Sequence, residues 1–579
     1  MKKYIALVAA LLTLGFTSCV NDLKVECIDT YNNTSTVDLP SLFAKVYATL
    51  GLTGQKGPDG NGDVAGVDEG TSSFYRMTYE LQEFPCDHIF WIWSDVGVDD
   101  VRNMVWTASN DLIRGLYGRL YFDITLCNLF LDKFETQATP EQVAEVRFIR
   151  ALNYWYLIDM FGNVPDEFEL NLKEMPQQIM RPQLYDKLKA ELIEIEAALP
   201  EQRVSYYRVD KTAAQLLLSR LCLNAEVYGV NRDGVQEFSD EKLQQEFTDA
   251  AKYANMVINS HYELAPKYSD IWAGDNDDLG QNEAYKELIL TVPQDGIQTQ
   301  SWGGSLFLIA SCTAGGMPST GSTESWKCIR TRAQLVGLFI NDSKYHKPIP
   351  TVINDKEKAM EVYGQYFGTA TEITAATGDD RALFCNYAEN GAIYCCQYWN
   401  DKKGEPFMSG WGIQKFSNLC VDDNRKTSDA KFPDMDLPLM RKAEAYLNYA
   451  EAVLRGGDQC GMTPDEAVNT VRRRSISDPE LANQSGWNIN IKDDKPFAVN
   501  GHNILDERGR ELYAEGLRRT DLIRFGVFTG DAYRWEYKAG DALGLPVKQP
   551  EAYRTLYPLP LTEVTNNHNL LQNKGYEVE

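Results

Sequence analysis

The sequence predicts an all-α protein: a superhelix of paired helices interrupted by long irregular loops. Two segments, 139–142 and 463–466, each place a threonine cap, a proline at the first helical position and Gln or Glu three residues after the cap. This pattern is typical of a helix start. The second of these helices follows another across a turn at Gly456 and Gly457, and helix pairs joined by short turns are the unit of helical-repeat proteins.

The remaining helices follow from the same criteria. The helix after Thr139 carries apolar residues at helical spacing and ends at Gly162 and Pro165, as a C-terminal stop should. Further helices are predicted at 110–135, 184–199, 211–228, 242–260, 439–455, 463–474 and 504–525. Two stretches, 51–108 and 294–430, break the pattern with turn formers and aromatic residues. In a helical scaffold, long loops usually carry the binding residues.

The N-terminus is typical of an exported lipoprotein. Lys2 and Lys3 precede an apolar run over 5–16 and then small residues before Cys19, the pattern of a secretory signal peptide. The run is shorter than the roughly 18 residues that span a bilayer. We predict a signal peptide at 1–18, lipidation of Cys19, a tether at 19–40, and one helical domain at 41–579 with helices mainly in 41–265 and 436–530. The alternative is ordinary cleavage, with Cys19 a plain thiol.

The charge balance excludes some partners. The chain has 57 basic against 83 acidic residues and a net charge of −26. Such a field repels phosphate backbones, so nucleic-acid binding is not expected. It does not oppose the binding of neutral sugars.

Three ordered motifs resemble the signatures of one family. Residues 145–165 read EVRFIRALNYWYLIDMFGNVP, residues 505–526 read LDERGRELYAEGLRRTDLIRFG, and YPLP at 557–560 precedes QNKGY at 572–576. With the lipoprotein-like start, they resemble the SusD/RagB family of outer-membrane lipoproteins of Bacteroidota, most of all its starch-binding subgroup. We interpret the alternating charges of 505–526 as a packed ion-pair network, because their spacing allows helical pairs.

The resemblance implies a fold, a location and a function. The fold would be built on tetratricopeptide-like helix pairs. The protein would be lipid-anchored in the outer membrane and exposed at the cell surface. It would bind an oligo- or polysaccharide there, with α-glucan as the leading candidate, and pass it to a SusC-like TonB-dependent transporter. No catalysis is expected, and fructans, xylans, mannans and host glycans stay open as cargo.

The same resemblance implies the binding residues. Asp68 and Arg76 match positions that hold sugar hydroxyls, and Trp93, Trp302 and Trp326 match positions at which aromatic rings stack on sugars. For each tryptophan the alternative is an ordinary core residue. The starch-binding proteins have an asparagine a few residues after the position of Trp93, and this sequence has no counterpart to it. One hydrogen bond of that binding site therefore lacks its residue here.

Acidic clusters suggest a structural metal. By the same resemblance, carboxylates that would suit the oxygen ligation of Ca²⁺ occur at Asp275, Asp277, Asp434 and Asp436. The alternative is a solvated acidic turn.

Two other functions compete with glycan capture. A glycoside hydrolase needs a carboxylate pair at a defined separation, which a sequence cannot show. The five histidines form no H-E-x-x-H motif, and no G-x-S-x-G motif is present. A purely protein-binding helical scaffold would tolerate the loss of Trp93, Trp302 and Trp326 without an effect on sugar binding.

Overall fold

The structure is a computed structural model. It describes residues 37–55, 57–58, 60–171, 173–313, 317–340, 370–385, 388–389, 392–393, 411–476, 503–533, 535, 538 and 550–577. The predicted signal peptide, Cys19 and most of the tether lie outside these residues. The chain divides into two compact units, Met1–Leu42 and Phe43–Glu579. Of the first unit, residues 37–42 are described, and a helix begins there at Leu39.

Helices dominate the described residues, which confirms the all-α prediction. They are α1 (Leu39–Ala48), α2 (Phe74–Glu83), α3 (Val98–Arg102), α4 (Asp111–Phe134), α5 (Pro140–Met160), α6 (Arg181–Ala198), α7 (Lys211–Leu223), α8 (Ala225–Tyr228), α9 (Asp240–Ile258), α10 (Ser305–Cys312), α11 (Ala333–Ile340), α12 (Ala370–Thr377), α13 (Lys442–Leu454), α14 (Pro464–Arg474), α15 (Ile504–Leu512), α16 (Arg518–Arg524) and α17 (Leu561–Asn566). No helix in the described ranges is both long enough and apolar enough to cross a bilayer.

The strands are short and occur in antiparallel pairs. The pairs are β1 (Ile89–Trp91) with β5 (Ile329–Thr331), β2 (Val164–Pro165) with β3 (Gln178–Ile179), β4 (Leu288–Val292) with β10 (Leu437–Arg441), β6 (Phe384–Cys385) with β9 (Gly412–Ile413), and β7 (Ala388–Glu389) with β8 (Ala392–Ile393).

The two helix starts predicted from capping motifs, after Thr139 and after Thr463, are confirmed. Thr139 and Thr463 each form a reciprocal capping box, with Gln142 and Glu466 respectively. Asn110 caps α4 by accepting hydrogen bonds from two backbone N–H groups of the first turn. Each cap satisfies donors that a helix leaves unpaired at its start.

Neighbouring helices pack side by side, as expected of helix pairs. α4 packs on α5, α5 on α6, α6 on α7 and α7 on α9. α9 also packs on α13, which follows much later in the chain, and α13 packs on α14. The two helical regions on either side of the long loops therefore share contacts.

Three predicted elements differ in the structure. The single helix predicted at 504–525 is divided into α15 and α16, because Ala514 and Gly516 have positive φ angles of 59° and 75°. The helix predicted at 211–228 is interrupted at Asn224. The start of the helix predicted at 439–455 belongs to β10, which pairs with β4 about 150 residues earlier.

The two stretches predicted as loops also contain regular structure. Residues 51–108 include α2, α3 and β1, and residues 294–430 include helices α10 to α12. These short elements hold the loop residues that form the candidate site.

Candidate functional site

One cavity gathers all five residues predicted to bind sugar. Asp68, Arg76, Trp93, Trp302 and Trp326 line an open cavity of about 860 Å³. This volume lies within the range of small-molecule sites in proteins. Residues almost 260 positions apart in the chain thus meet at one place.

The three site tryptophans are distinguished by their exposure. Of the nine tryptophans in the described residues, six are buried: Trp91, Trp106, Trp155, Trp272, Trp411 and Trp535. The other three are Trp93, Trp302 and Trp326, and all three are half-buried. A large aromatic side chain left partly exposed beside a cavity can offer a ring face to a ligand.

Trp302 and Trp326 form one wall of the cavity. Their ring centroids lie 6.2 Å apart with the planes inclined by 39°. Both rings rest on α10, against a buried cluster that contains Leu306 and Ala310. The Trp326 indole N–H donates to Glu324 at 3.3 Å, which anchors the polar edge of that ring.

Trp93 is positioned by the strand pair β1 and β5. It follows β1 closely, and its ring lies 5.8 Å from that of the buried Trp91 in an edge-to-face arrangement. The Trp91 indole N–H donates to Asp95 Oδ2 at 2.7 Å. This bond closes the turn after β1 and places Asp95 in the cavity lining as well.

Arg76 is held in place by groups behind the cavity. Its Nε donates to Glu80 Oε1 at 2.8 Å and its Nη1 donates to the carbonyl of Gly70 at 3.2 Å. The guanidinium also lies 4.7 Å from the centroid of the Phe307 ring. Burial raises the pKa of Glu80, and the neighbouring Arg76 acts against that rise.

Asp68 stands exposed at the cavity edge, before the short 3-10 turn Glu69–Thr71. Gly70 in this turn lies directly against Trp302. A Cβ atom added to Gly70 would come within 3.1 Å of Trp302 Cβ and 3.3 Å of Asp68 Oδ1, closer than ordinary contacts. Glycine therefore permits the turn that carries Asp68 to pack against the tryptophan wall.

The cavity includes residues that sequence reasoning did not select. They are chiefly Glu69, Thr71, Asp95, Val96 and Asp111. Val96 is 77% exposed. Most of the charged lining residues are acids, and the one arginine is already paired with Glu80. The first four of these residues lie in the predicted loop 51–108, close in sequence to Asp68 or Trp93. That proximity is the only feature of the sequence that could have identified them.

The four candidate calcium ligands divide into two kinds. Asp275 accepts hydrogen bonds from the backbone N–H groups of Val421 and Asp422, and Asp277 is paired with Arg425. These two carboxylates already have partners.

Asp434 and Asp436 fit a cation better. Asp434 Oδ1 and Asp436 Oδ2 are buried and have no hydrogen-bond partner within the described residues. Burial raises the pKa of Asp436 well above its ordinary value. No group of three or more His, Cys, Asp or Glu side chains in the described ranges is arranged to hold a metal ion, so a cation here would need backbone or water oxygens in addition.

Comparison with known proteins shows which protein family this chain resembles along its length. The family model for the SusD family matches residues 286–576, and one described as "Starch-binding associating with outer membrane" matches residues 30–223. The chain is 36% identical over 585 aligned residues to the starch-binding protein SusD of Bacteroides thetaiotaomicron, with 99% of this chain and 98% of that protein covered.

Solved structures show the same fold at lower identity. Surface glycan-binding protein A of Bacteroides thetaiotaomicron, in complex with laminarihexaose, aligns with a TM-score of 0.57 and 18% identity over 92% of this chain and 98% of that one. A laminarin-binding SusD-like protein aligns with a TM-score of 0.60 and 19% identity over 93% of this chain and 99% of that one. From the matched family model and the full-length relative, the chain belongs to the SusD family.

Proposed function

We propose that this protein is a cell-surface glycan-binding lipoprotein that captures an oligo- or polysaccharide in the cavity of Trp93, Trp302 and Trp326. The observation that carries the proposal is that these three half-buried tryptophans line one cavity with Asp68 and Arg76. A full-length relative is named for starch binding, so an α-glucan is the first candidate. Two relatives of the same fold are named for laminarin or bound to laminarihexaose, so β-linked glucans are the second.

The geometry suggests how a sugar chain would be held. Sugar rings present flat C–H faces to the indoles, and the 39° angle between Trp302 and Trp326 suits a curved chain that touches both. Asp68 is exposed and can accept hydrogen bonds from hydroxyls. Arg76 Nη2 makes no hydrogen bond within the described residues, so it can donate to a hydroxyl while Nε and Nη1 fix the side chain. Such shallow sites bind in the micromolar to millimolar range, about 4–8 kcal/mol.

Delivery to a SusC-like TonB-dependent transporter and anchoring through Cys19 belong to the same proposal. The match to a family described as associating with the outer membrane supports this location. A Cys19→Ala variant in the native host is expected to leave the outer-membrane fraction. Co-purification of the lipidated protein with a large outer-membrane transporter would support delivery, and its absence under mild detergent would count against it.

Ca²⁺ at Asp434 and Asp436 is a further part of the proposal. The ion would bind their unpartnered oxygens and neutralise two nearby carboxylates, with a purely structural role. A chelator is then expected to lower the melting temperature, since a ligand bound only to the folded state stabilises it. A melting temperature that is equal with chelator and with added Ca²⁺ would argue against the ion.

The deciding experiment is a calorimetric titration of the soluble chain from residue 20 onward. The panel contains malto-, laminari-, fructo-, xylo- and manno-oligosaccharides, with Trp326→Ala as the matched variant. Heat with one class, lost in the variant, is the expected result. Absence of heat across the panel, or equal heat in the variant, would contradict the proposal and favour the scaffold function. Release of new reducing ends during the titration would instead indicate a glycoside hydrolase.

A further inference from the structure

Asp95 places one carboxylate oxygen at the disposal of a ligand in the cavity of Trp93, Trp302 and Trp326. The side chain lines this cavity and is half-buried. Its Oδ2 accepts the indole N–H of Trp91 at 2.7 Å. Its Oδ1 has no hydrogen-bond partner among the described residues, and it does not belong to the unpartnered oxygens that are shut off from solvent. One oxygen therefore fixes the side chain, and the other is available.

Two groups of opposite charge are arranged around the Trp91 ring. The guanidinium of Arg76 lies 5.8 Å from the centroid of this ring, and Asp95 accepts its indole N–H. In the part of the chain that the structure describes, no ion pair joins Arg76 to Asp95, because Arg76 is paired with Glu80. Arg76 thus offers a hydrogen-bond donor and Asp95 an acceptor to the same cavity. A sugar hydroxyl is able to bind to either kind of group.

The lining of the cavity is negatively charged. Within the described residues it contains four acids and one arginine: Asp68, Glu69, Asp95, Asp111 and Arg76. Asp111 is paired with Arg114, whereas Asp68 and Asp95 form no ion pair with any described residue. The low dielectric constant of the walls of a cleft strengthens the field of the charges that line it. A ligand carboxylate is therefore repelled here, and a neutral hydroxyl is not.

We propose that Asp95 determines the specificity of this site: Oδ1 accepts a hydrogen bond from a sugar hydroxyl, and its charge repels glycans that carry carboxylates, such as uronic acids. The inference rests on the glycan capture proposed above and narrows the cargo to neutral polysaccharides. The turn around Asp95 is well fixed, because Val98 N–H donates to the Asp95 carbonyl at 3.2 Å and the Asn110 side chain donates to the Gly97 carbonyl at 2.9 Å. An acceptor that is already in place loses little freedom on binding.

The test compares neutral and charged forms of the same glucan. The probes are maltohexaose and laminarihexaose, each beside a form oxidised at C6, in which the primary alcohols have become carboxylates. In calorimetric titrations of the soluble chain at low ionic strength, the oxidised forms are expected to bind at least about tenfold more weakly. At about 1 M salt this difference should shrink, because the Debye length falls to about 3 Å. The affinity for the neutral forms should stay the same.

Asp95→Asn is the deciding variant, because it keeps an acceptor oxygen for the Trp91 indole and removes the charge. It is expected to weaken the binding of the neutral hexaose about three- to tenfold and to strengthen that of its oxidised form by a similar factor. A loss of folded protein cannot produce these opposite changes. Asp186→Asn is the matched control, since it removes one negative charge from an exposed pair with Lys242 and should alter neither affinity.

Two outcomes would overturn the role of Asp95 and leave glycan capture intact. The first is equal binding of neutral and oxidised hexaoses by the wild-type protein. The second is an equal weakening of both in Asp95→Asn, which would show that Asp95 only anchors the turn through Trp91. In both cases the neutral hexaose still binds and Trp326→Ala still removes that binding. No heat from either neutral hexaose would contradict glucan capture and this inference together. If Asp95→Asn does not fold, Asp95→Ser replaces it with the same expectations.

Discussion

Trp302 is fixed by its neighbours although part of it remains exposed. Its ring lies against Trp326 and 5.7 Å from Phe432, and Lys431 Nζ lies 4.4 Å from its centroid. A ring held on several sides loses little further freedom when a sugar stacks on it. Pre-organisation of this kind reduces the cost of binding.

Truncation of Trp302 should therefore affect binding more than stability. For Trp302→Ala we expect a loss of about 1–2 kcal/mol in glycan affinity, roughly 5- to 30-fold, with a small change in the free energy of unfolding. Trp302→Phe keeps a stacking face and should recover most of the affinity. Calorimetry and denaturant unfolding of the same samples measure both quantities.

The buried Trp155 provides the control. It is 1% exposed, and Trp155→Ala should cost about 3–5 kcal/mol of stability because it leaves a cavity in the core. If Trp302→Ala instead unfolds as easily as Trp155→Ala and keeps its glycan affinity, Trp302 is a core residue and the binding role predicted for it is wrong.

At the level of elements, one arginine connects the two ends of the segment 53–72, which precedes α2. Arg119 of α4 is fully buried. Its Nε donates to the carbonyl of Ser72 at 2.9 Å and its Nη2 to that of Thr53 at 2.8 Å. Its Nη1 also approaches Asp63 Oδ2 at 3.4 Å. The segment 53–72 carries Asp68, so Arg119 fixes the Asp68 side of the candidate site, although Arg119 itself does not line the cavity.

Arg119→Gln is predicted to make the segment 53–72 less rigid. Amide hydrogen exchange should rise selectively in 53–72, and glycan affinity should fall by roughly 1.5–3 kcal/mol, the scale of lost hydrogen bonds from a charged donor. Arg150→Gln is the control, because Arg150 is a buried arginine of α5 that bonds Asn128, Phe168 and Glu191. Equal losses of affinity in both variants would indicate a general effect of stability and contradict the positioning role.

The break between α15 and α16 depends on a carboxylate from α2. Glu83 Oε1 accepts hydrogen bonds from the backbone N–H groups of Gly516 at 2.8 Å and Leu517 at 3.3 Å. Burial raises the pKa of Glu83 to about 8, although these hydrogen bonds and Arg518 act in the opposite direction. In an unfolded chain the pKa of a glutamate is about 4.3.

Glu83→Gln should therefore change the pH dependence of stability. Between about pH 4.3 and 8 the folded state holds a proton on Glu83 that the unfolded state has lost, so this residue's contribution to stability falls as pH rises through that interval. The amide keeps an acceptor oxygen and does not ionise. We expect the two proteins to be similar at pH 5 and the variant to be more stable at pH 9, by roughly 2–5 kcal/mol. Urea unfolding at both values measures this, and a constant difference would contradict it.

These elements also show what sequence could and could not predict. The capping boxes at Thr139 and Thr463 are local patterns, so their helix starts were predictable. The break at 513–517 depends on Glu83, more than 400 residues earlier, and the residues around it have the composition of a continuous helix. Likewise, the site tryptophans follow from family resemblance, but their common cavity depends on the pairing of β1 with β5 and on α10 beneath them.

At the scale of the whole molecule, α15 is the centre of a buried ion-pair network. Glu507 is paired with Arg381, Arg472 and Arg510. Glu511 is paired with Arg381, Arg441 and Arg474. These arginines come from four separate parts of the sequence, so the network joins α14 and α15 to β10 and to the segment after α12. The packed network predicted for residues 505–526 is confirmed.

The network predicts that the fold is sensitive to acid. Burial alone would raise the pKa of Glu511, but Arg474, Arg441 and Arg381 lower it to about 2. The same kind of partners also lower the pKa of Glu451 to about 2. Since the unfolded value is about 4.3, the stabilisation is complete above that pH and is lost as pH falls from about 4.3 to 2.

The variant Glu511→Gln tests this pH dependence of stability at neutral and at acidic pH. At pH 7 it should cost about 3–5 kcal/mol, because it leaves buried arginines without their partner. Below about pH 4.3 the cost should shrink, since wild-type Glu511 itself becomes protonated there on unfolding. Denaturant unfolding at pH 7, 4 and 3 measures the difference, with Glu194→Gln as the control because that residue pairs with Arg147 at an exposed position. A cost that is the same at all three pH values would show that the network stabilises the molecule by packing alone, and the pH dependence would then have to arise from other carboxylates.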